Sequence, residues 1–175
     1  VDRPVTLAGV APTQAELLGF PFRAIDGTPM VEAIAGSETP PRLIVTMIWD
    51  AGGRNVLGRW KDDWPYLESL IPQGAWYEHA TVGTSPTSTA QTHATIGTGA
   101  FPDAHGIVAH RLRIGDELTT PWAKGPAYLV EPTLADLYDR AMGNEPVVGE
   151  IGTVSIHLGM LGHGAMWGGG DQEIA

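Results

Sequence analysis

The sequence predicts an α/β fold in which helices flank a mostly parallel sheet. The first observation is an unbroken apolar run over residues 43–49 that ends on Asp50. Such a run is typical of a strand that is covered on both faces. The second observation is that candidate helices and candidate strands alternate along the rest of the chain, as they do when helices pack on a sheet. With 175 residues, 43% of them hydrophobic, the chain can bury the core of one domain.

The first 41 residues are rich in Pro, Gly, Thr and Ala, and we interpret them as an N-terminal arm. Within this arm, the segment TQAELLGF predicts a short helix that ends at Gly19. Pro40 and Pro41 close the arm. Residues 42–175 contain neither a repeat nor a linker, so we predict that they belong to one domain.

After the apolar strand, the segment AGGRN turns the chain. A short helix is predicted over residues 65–71, with Gly74 as its stop signal, and a strand over residues 76–82. The segment SPTST then offers hydroxyl groups that can cap a helix continuing past Ala90. Residues 106–122 predict a hairpin, with Gly115 and Asp116 near its tip.

The segment TLADLYDRAMGN is the clearest helix. Thr133 can cap its start, and Gly143 and Asn144 stop it. Four residues share the predicted apolar face: Leu134, Leu137, Tyr138 and Ala141. The segment IGTVSI is a further candidate strand, and a glycine-rich loop follows it. Because the order of elements implies that another β–α unit should follow, we predict an incomplete domain.

Composition excludes several classes of function. The formal charge of −10 argues against a nucleic-acid polymer as partner, because phosphate backbones bind clustered Lys and Arg side chains. A small phosphate ester remains compatible with this charge if a divalent ion supplies the positive charge. The absence of Cys excludes disulfides, thiolate ligands and a cysteine nucleophile. No apolar run reaches the roughly 20 residues of a membrane span.

Thr89 lies where a hydroxyl-rich loop gives way to a helix, so its side chain meets the positive end of the helix dipole. A hydroxyl at this position can act as a nucleophile if a base or metal assists it. It can also be one of several hydroxyls that cap the helix, and for Thr89 taken alone we favour this structural role. Asp50 has two interpretations as well, as a metal ligand at the end of a strand or as a cap of the AGGRN turn.

Two histidines accompany these residues. His93 falls one helical turn after Thr89, and His105 precedes Gly106 in the segment PDAHGI. For both we favour a structural role. We predict a local hydrogen bond for His93 and a tight turn pinned by His105.

Taken together, the ordered segments IWD, PTSTAQTH, TIGTG and FPDAHGI resemble the type I phosphodiesterase/nucleotide pyrophosphatase family of the alkaline phosphatase superfamily. The resemblance extends over about residues 42–167 and includes the later segments DLYDRA and VSIHLGMLGHGAMW. It implies that residues 42–175 are the N-terminal portion of an alkaline-phosphatase-like catalytic domain, with two zinc ions and a covalent phospho-enzyme. Asp50 matches the ligand aspartate of the first strand, and Thr89 matches the nucleophile that also touches the metal.

The chain departs from the family pattern in three places. His110 stands where the family commonly has an asparagine that donates to the phosphate, so it is either a substitute donor or a surface residue of the hairpin. His157 stands where monoesterase-like relatives have a lysine. His163 and Asp171 are available, but their segment is similar to the loop before the remaining metal ligands. With Asp50 and Thr89 alone, we expect weak metal binding or none.

We therefore predict metal-dependent hydrolysis of phosphodiester or nucleotide pyrophosphate bonds through a phospho-threonine. The small phosphate-ester substrate is its expected partner. One alternative is a phosphomonoesterase or a headgroup transferase on the same scaffold, and another is an inactive relative that only binds a partner. The family resemblance also implies an exported or periplasmic location.

Overall fold

A computed structural model of the chain describes residues 1–122, 127–153, 160–161 and 173–174. These residues form short α-helices: α1 (Val10–Leu17), α2 (Val31–Ile34), α3 (Arg54–Arg59), α4 (Pro65–Leu70), α5 (Thr89–Thr98), α6 (Pro102–His105) and α7 (Leu134–Ala141). Single 3-10 turns cover Leu7–Gly9, Lys61–Asp63 and Ile71–Gln73. None of the helices in this described part has the length and apolarity needed to cross a bilayer.

The strands are short and pair two by two. They are β1 (Val5–Thr6) parallel to β2 (Ala80–Thr81), β3 (Leu112–Ile114) antiparallel to β4 (Glu117–Thr119), and β5 (Glu150–Ile151) parallel to β6 (Glu173–Ile174). This mixture of helices and small sheets is consistent with an α/β fold. The described residues do not form the large parallel sheet that the sequence predicts.

The predicted strand over residues 43–49 is wrong in this structure, because the segment has no regular secondary structure. Its alternate side chains Leu43, Val45 and Met47 are 76%, 72% and 65% exposed. Apolar composition favours a strand only where neighbouring strands and helices cover it. Among the described residues no strand pairs with this segment.

The predicted strand over residues 76–82 is reduced to β2. Its partner β1 lies in the N-terminal arm, where two residues are too few to give a periodic signal. Nearby, Arg3 donates two hydrogen bonds to the Glu32 carboxylate, at 3.0 and 2.7 Å. Tyr77 donates a third at 3.0 Å. These hydrogen bonds, first of all those from Arg3, lower the pKa of Glu32 to about 2.

Several predicted elements are confirmed. Helix α1 ends before Gly19, which has a positive φ of 64°. Helix α4 covers the predicted segment, and the hairpin β3–β4 turns at Gly115 and Asp116. The Thr133 hydroxyl caps α7 by accepting a hydrogen bond from the backbone N–H of Asp136 at 3.1 Å.

The predicted apolar face of α7 needs correction. Leu134 is buried, but the other fully buried positions inside the helix are Asp136 and Asp139. Leu137 and Tyr138 are half-buried, and Ala141 is exposed. The buried side of the helix therefore includes two carboxylates beside Leu134, which the apolar pattern does not predict.

Helix α5 is the centre of the molecule. It contacts the first 3-10 turn and the helices α1, α6 and α7, and eight of its ten residues are buried. Its C-terminus ends at Gly99, whose φ of 67° is left-handed. The carbonyl of Gly99 accepts hydrogen bonds from the backbone N–H groups of Asp26 and Gly27. One core cluster packs against α5, formed by Ala90, Ala94, Ile107, Leu112, Leu129 and Met160.

Candidate active site at the start of helix α5

Thr89 is the first residue of α5, and only the start of this buried helix reaches the surface. Ser88 precedes it as N-cap with extended backbone angles. The Ser88 side chain makes no capping bond to the backbone and contacts the Gln91 side chain instead. The first N–H groups of a helix have no intrahelical partners and carry a partial positive charge. This end of α5 therefore suits an anion.

The structure brings Thr89 and Asp50 together, although they are 39 positions apart in the sequence. The Thr89 hydroxyl donates a hydrogen bond to Oδ2 of Asp50 at 2.8 Å. Asp50 is exposed and Thr89 is half-buried, so both oxygens lie at the surface of the molecule. The predicted roles of nucleophile and metal ligand rest on this proximity and stay predictions.

Asp50 lies in a tight turn that ends the apolar segment. The backbone N–H of Gly52 donates to the carbonyl of Trp49 at 2.9 Å, which closes a β-turn. Ala51 has a left-handed φ of 59°, a conformation that costs a side-chain-bearing residue about 1 kcal/mol. The turn, and not a strand end, sets the direction of the Asp50 carboxylate.

His93 makes the local hydrogen bond that the sequence predicts. Its buried ring places Nδ1 2.8 Å from the carbonyl oxygen of Thr89. Because a carbonyl oxygen only accepts, Nδ1 carries the proton. His93 therefore holds the backbone of the residue that carries the candidate nucleophile.

His105 pins a turn, as predicted, and is fully buried. Its Nδ1 accepts a hydrogen bond from the backbone N–H of Ile107 at 3.1 Å, so the ring proton is on Nε2. Nε2 lies 3.2 Å from the Thr95 hydroxyl and donates to it. Burial lowers the pKa of His105 to about 4, which keeps the ring neutral. Gly106 then takes a left-handed φ of 84°.

Gln91 is a contributor to the site that the sequence analysis missed. Its side chain is 1% exposed, and its amide nitrogen donates to the carbonyl of Val108 at 2.9 Å. It thereby fixes the loop after α6 to the start of α5. The spacing Ser-x-x-Gln is that of a capping box and was the available signal.

His110 is exposed, and its ring lies edge-on to Trp122, with 5.4 Å between centroids. His110 follows Val108 by two residues, so the hydrogen bond from Gln91 to the Val108 carbonyl also positions the loop that carries His110. Its predicted role as a donor to phosphate stays a prediction. His157, His163 and Asp171 lie outside the described residues.

Asp50 and Thr89 supply two oxygen donors, fewer than the about four that zinc takes. Among the residues described here, no group of three or more His, Asp or Glu side chains could hold a metal ion. The described residues therefore do not make a complete metal site.

Comparison with known proteins gives one match. A family model described as type I phosphodiesterase / nucleotide pyrophosphatase matches residues 44–175, well over half of the chain. Searches of curated proteins and of solved structures returned no significant match. The matched region includes both Asp50 and Thr89. Members of this family are phosphoric ester hydrolases and are generally metal-dependent.

Proposed function

The chain belongs to the type I phosphodiesterase / nucleotide pyrophosphatase family, and from that membership we propose that it hydrolyses phosphodiester or nucleotide pyrophosphate bonds with Thr89 as nucleophile. The observation that carries this proposal is the 2.8 Å hydrogen bond from Thr89 to Asp50 at the start of α5. It joins a hydroxyl, a carboxylate and the positive end of a helix in one exposed place.

These groups have complementary roles. The phosphoryl oxygens of the ester lie against the N-terminal N–H groups of α5, which stabilise the negative charge that grows during attack. Asp50 orients the Thr89 hydroxyl by accepting its hydrogen bond. His110 donates to a non-bridging oxygen from the loop that Gln91 fixes.

The reaction has two steps. In the first, the Thr89 oxygen forms a bond to phosphorus, the bond from phosphorus to the leaving oxygen breaks, and the Thr89 proton passes through water to the departing oxygen. In the second, a water oxygen attacks phosphorus, the bond from phosphorus to the Thr89 oxygen breaks, and the proton lost by the water passes to the Thr89 oxygen. The products are an alcohol or nucleotide and a phosphate monoester.

Metal dependence belongs to the proposal as well. Family members are generally metal-dependent, and we propose two divalent ions, zinc in the first place. Among the described residues, Asp50 and Thr89 are the candidates for ligands, and further donors are required.

Three variants of the full-length encoded protein test the nucleophile, with bis(4-nitrophenyl) phosphate as substrate and zinc present. Thr89→Ala should lower kcat/KM by about 10³-fold, because it removes the attacking oxygen. Thr89→Ser should retain most of the activity, since it keeps a hydroxyl group at the same position. Thr92→Ala, on the same helix, is the matched control and should be unaffected. Turnover of Thr89→Ala at the wild-type rate would discard the proposal.

A further inference from the structure

A cavity of about 410 Å³ lies beside the Asp50 turn. The wall on one side comes from Met47, Trp49 and Gly52, and the opposite wall comes from α3, α4 and the residues that follow them. We call it the tryptophan pocket, after Trp49, Trp64 and Trp76. Its volume falls within the range of about 300–1,000 Å³ that is usual for small-molecule sites.

The lining of the tryptophan pocket is apolar and aromatic. Trp64 and Trp76 are nearly parallel, with 6.4 Å between ring centroids and 12° between planes. The indole N–H of Trp64 donates to the carbonyl of Leu57 at 3.0 Å, which holds this ring in place. The two indoles stack on each other, and aromatic rings of this kind also favour contact with a further flat ring.

Apart from the indole N–H groups, the lining side chains carry no charge and no strong hydrogen-bonding group. A nucleobase would bring several hydrogen-bonding atoms into the pocket, and each one left without a partner costs about 1–3 kcal/mol. An aryl ring brings none. The composition of the pocket therefore favours an aryl group over a nucleobase.

The tryptophan pocket and the candidate active site share the Asp50 turn. Trp49 and Gly52 line the pocket and are the two ends of this turn. Adjacent Cα atoms are about 3.8 Å apart, so the Cα atom of Trp49 lies within about 10 Å of the Thr89 oxygen. An ester whose phosphorus meets Thr89 can therefore place an organic group in the pocket.

We propose that the tryptophan pocket binds an aryl group of the phosphoric ester, and that the enzyme prefers aryl phosphodiesters to nucleoside phosphodiesters. This inference rests on the proposed function, because the pocket belongs to a substrate site only if the neighbouring Thr89 is the nucleophile. The pocket supplies stacking and burial of the ring, and the start of α5 supplies the phosphate contacts.

Binding of three stable ligands tests the proposal without any turnover. The change in tryptophan fluorescence is titrated with phenylphosphonate, methylphosphonate and thymidine 5′-monophosphate. We expect phenylphosphonate to bind at least 10-fold more tightly than methylphosphonate and more tightly than the nucleotide. Equal affinities for the two phosphonates, tighter binding of the nucleotide, or no binding of phenylphosphonate would overturn the proposal.

Matched variants test whether Trp64 and Trp76 cause the preference for phenylphosphonate. Trp64→Leu and, independently, Trp76→Leu keep an apolar side chain but remove a flat face, and each should reduce the preference for phenyl over methyl to about 3-fold or less. Trp60→Leu is the control, because Trp60 is 55% exposed beneath Arg59 and does not line the pocket. Circular dichroism identifies any variant that fails to fold.

The two proposals fail differently. If the phenyl preference depends on Trp64 and Trp76 but Thr89→Ala retains turnover, the proposed nucleophile is wrong and the pocket stands as a binding site. If turnover depends on Thr89 but the preference is the same in Trp64→Leu and Trp60→Leu, the pocket assignment is wrong.

Discussion

Single side chains position the start of α5 from inside the protein. His93 holds the carbonyl of Thr89, and Gln91 holds the carbonyl of Val108, so two buried polar groups act on the two segments around the candidate site. Each side chain makes within the protein a hydrogen bond that water provides in the unfolded chain. Polar groups that are buried in a core need such partners. The geometry of Thr89 thus depends on residues that never meet the substrate.

His105 should make the stability of the fold depend on pH. Its pKa is about 4 in the folded protein and 6.5 in the unfolded chain, so the unfolded chain binds more protons between these values. Stability should therefore fall by about 2 kcal/mol as the pH falls from 7 to 5. Urea unfolding at both pH values measures this loss.

The variant His105→Asn provides the comparison, since its amide oxygen can still accept from the N–H of Ile107. The contribution of His105 to the pH dependence should vanish in this variant. The variant His110→Asn, which changes an exposed histidine, should keep the pH dependence of the wild-type protein. If His105→Asn loses as much unfolding free energy between pH 7 and pH 5 as the wild type does, groups other than His105 cause the loss.

At this scale the sequence was informative where a residue type carries chemistry by itself. Thr89, Asp50, His93 and His105 were singled out because a hydroxyl at a helix start, a carboxylate at a turn and histidines at short spacings are chemically specific. Gln91 was missed because its bond to the Val108 carbonyl spans 17 positions, whereas the Ser-x-x-Gln spacing indicates only its contact with Ser88.

At the scale of elements, α5 is built for close packing and not for helix propensity. Its sequence TAQTHATIGT contains threonines, a histidine and a glycine, which are weak helix formers. The backbone of residues 160–161 approaches Gly97 so closely that an added Cβ would lie 2.5 Å from the Met160 carbonyl oxygen. Tertiary contacts therefore hold the helix together.

Two glycine variants should separate packing from propensity. Gly97→Ala should destabilise the protein by about 1–3 kcal/mol, because the new methyl group overlaps backbone atoms. Gly58→Ala in α3 should stabilise it by up to about 1 kcal/mol, since an added Cβ meets nothing within 4 Å there. Thermal unfolding of both proteins measures the difference. Equal shifts of the same sign would refute the packing argument.

Elements with strong local signals were predictable from the sequence, and elements that depend on partners were not. Helices α4 and α7 carry their own stop or cap residues, and the hairpin β3–β4 carries its turn. The segment 43–49 has the composition of a core strand, yet its secondary structure depends on which strands lie beside it. In α7, likewise, the apolar pattern does not predict that Asp136 is buried, because its burial depends on the elements that pack against the helix.

For the molecule as a whole, the most consequential surface is the segment 43–49. Its exposed apolar side chains alternate along an irregular backbone that no strand covers within the described residues. Exposed apolar segments of this kind promote association of chains. We expect the purified protein to self-associate through this segment.

Light scattering coupled to gel filtration tests this expectation. Val45→Lys places a charge at a 72% exposed position in the segment and should shift the protein towards the monomer. Ile25→Lys adds the same charge at a 56% exposed position elsewhere. It should leave the distribution unchanged. An equal response of both variants would attribute the effect to net charge.

The pairing of β1 with β2 has a kinetic consequence. Val5 lies opposite Ala80, so the contact encloses nearly half of the chain and covers only two residues on each side. The entropy lost in closing such a long loop is recovered only after the intervening segments are ordered. We therefore infer that this pairing forms after the transition state for folding, and that weakening it accelerates unfolding while leaving the refolding rate almost constant.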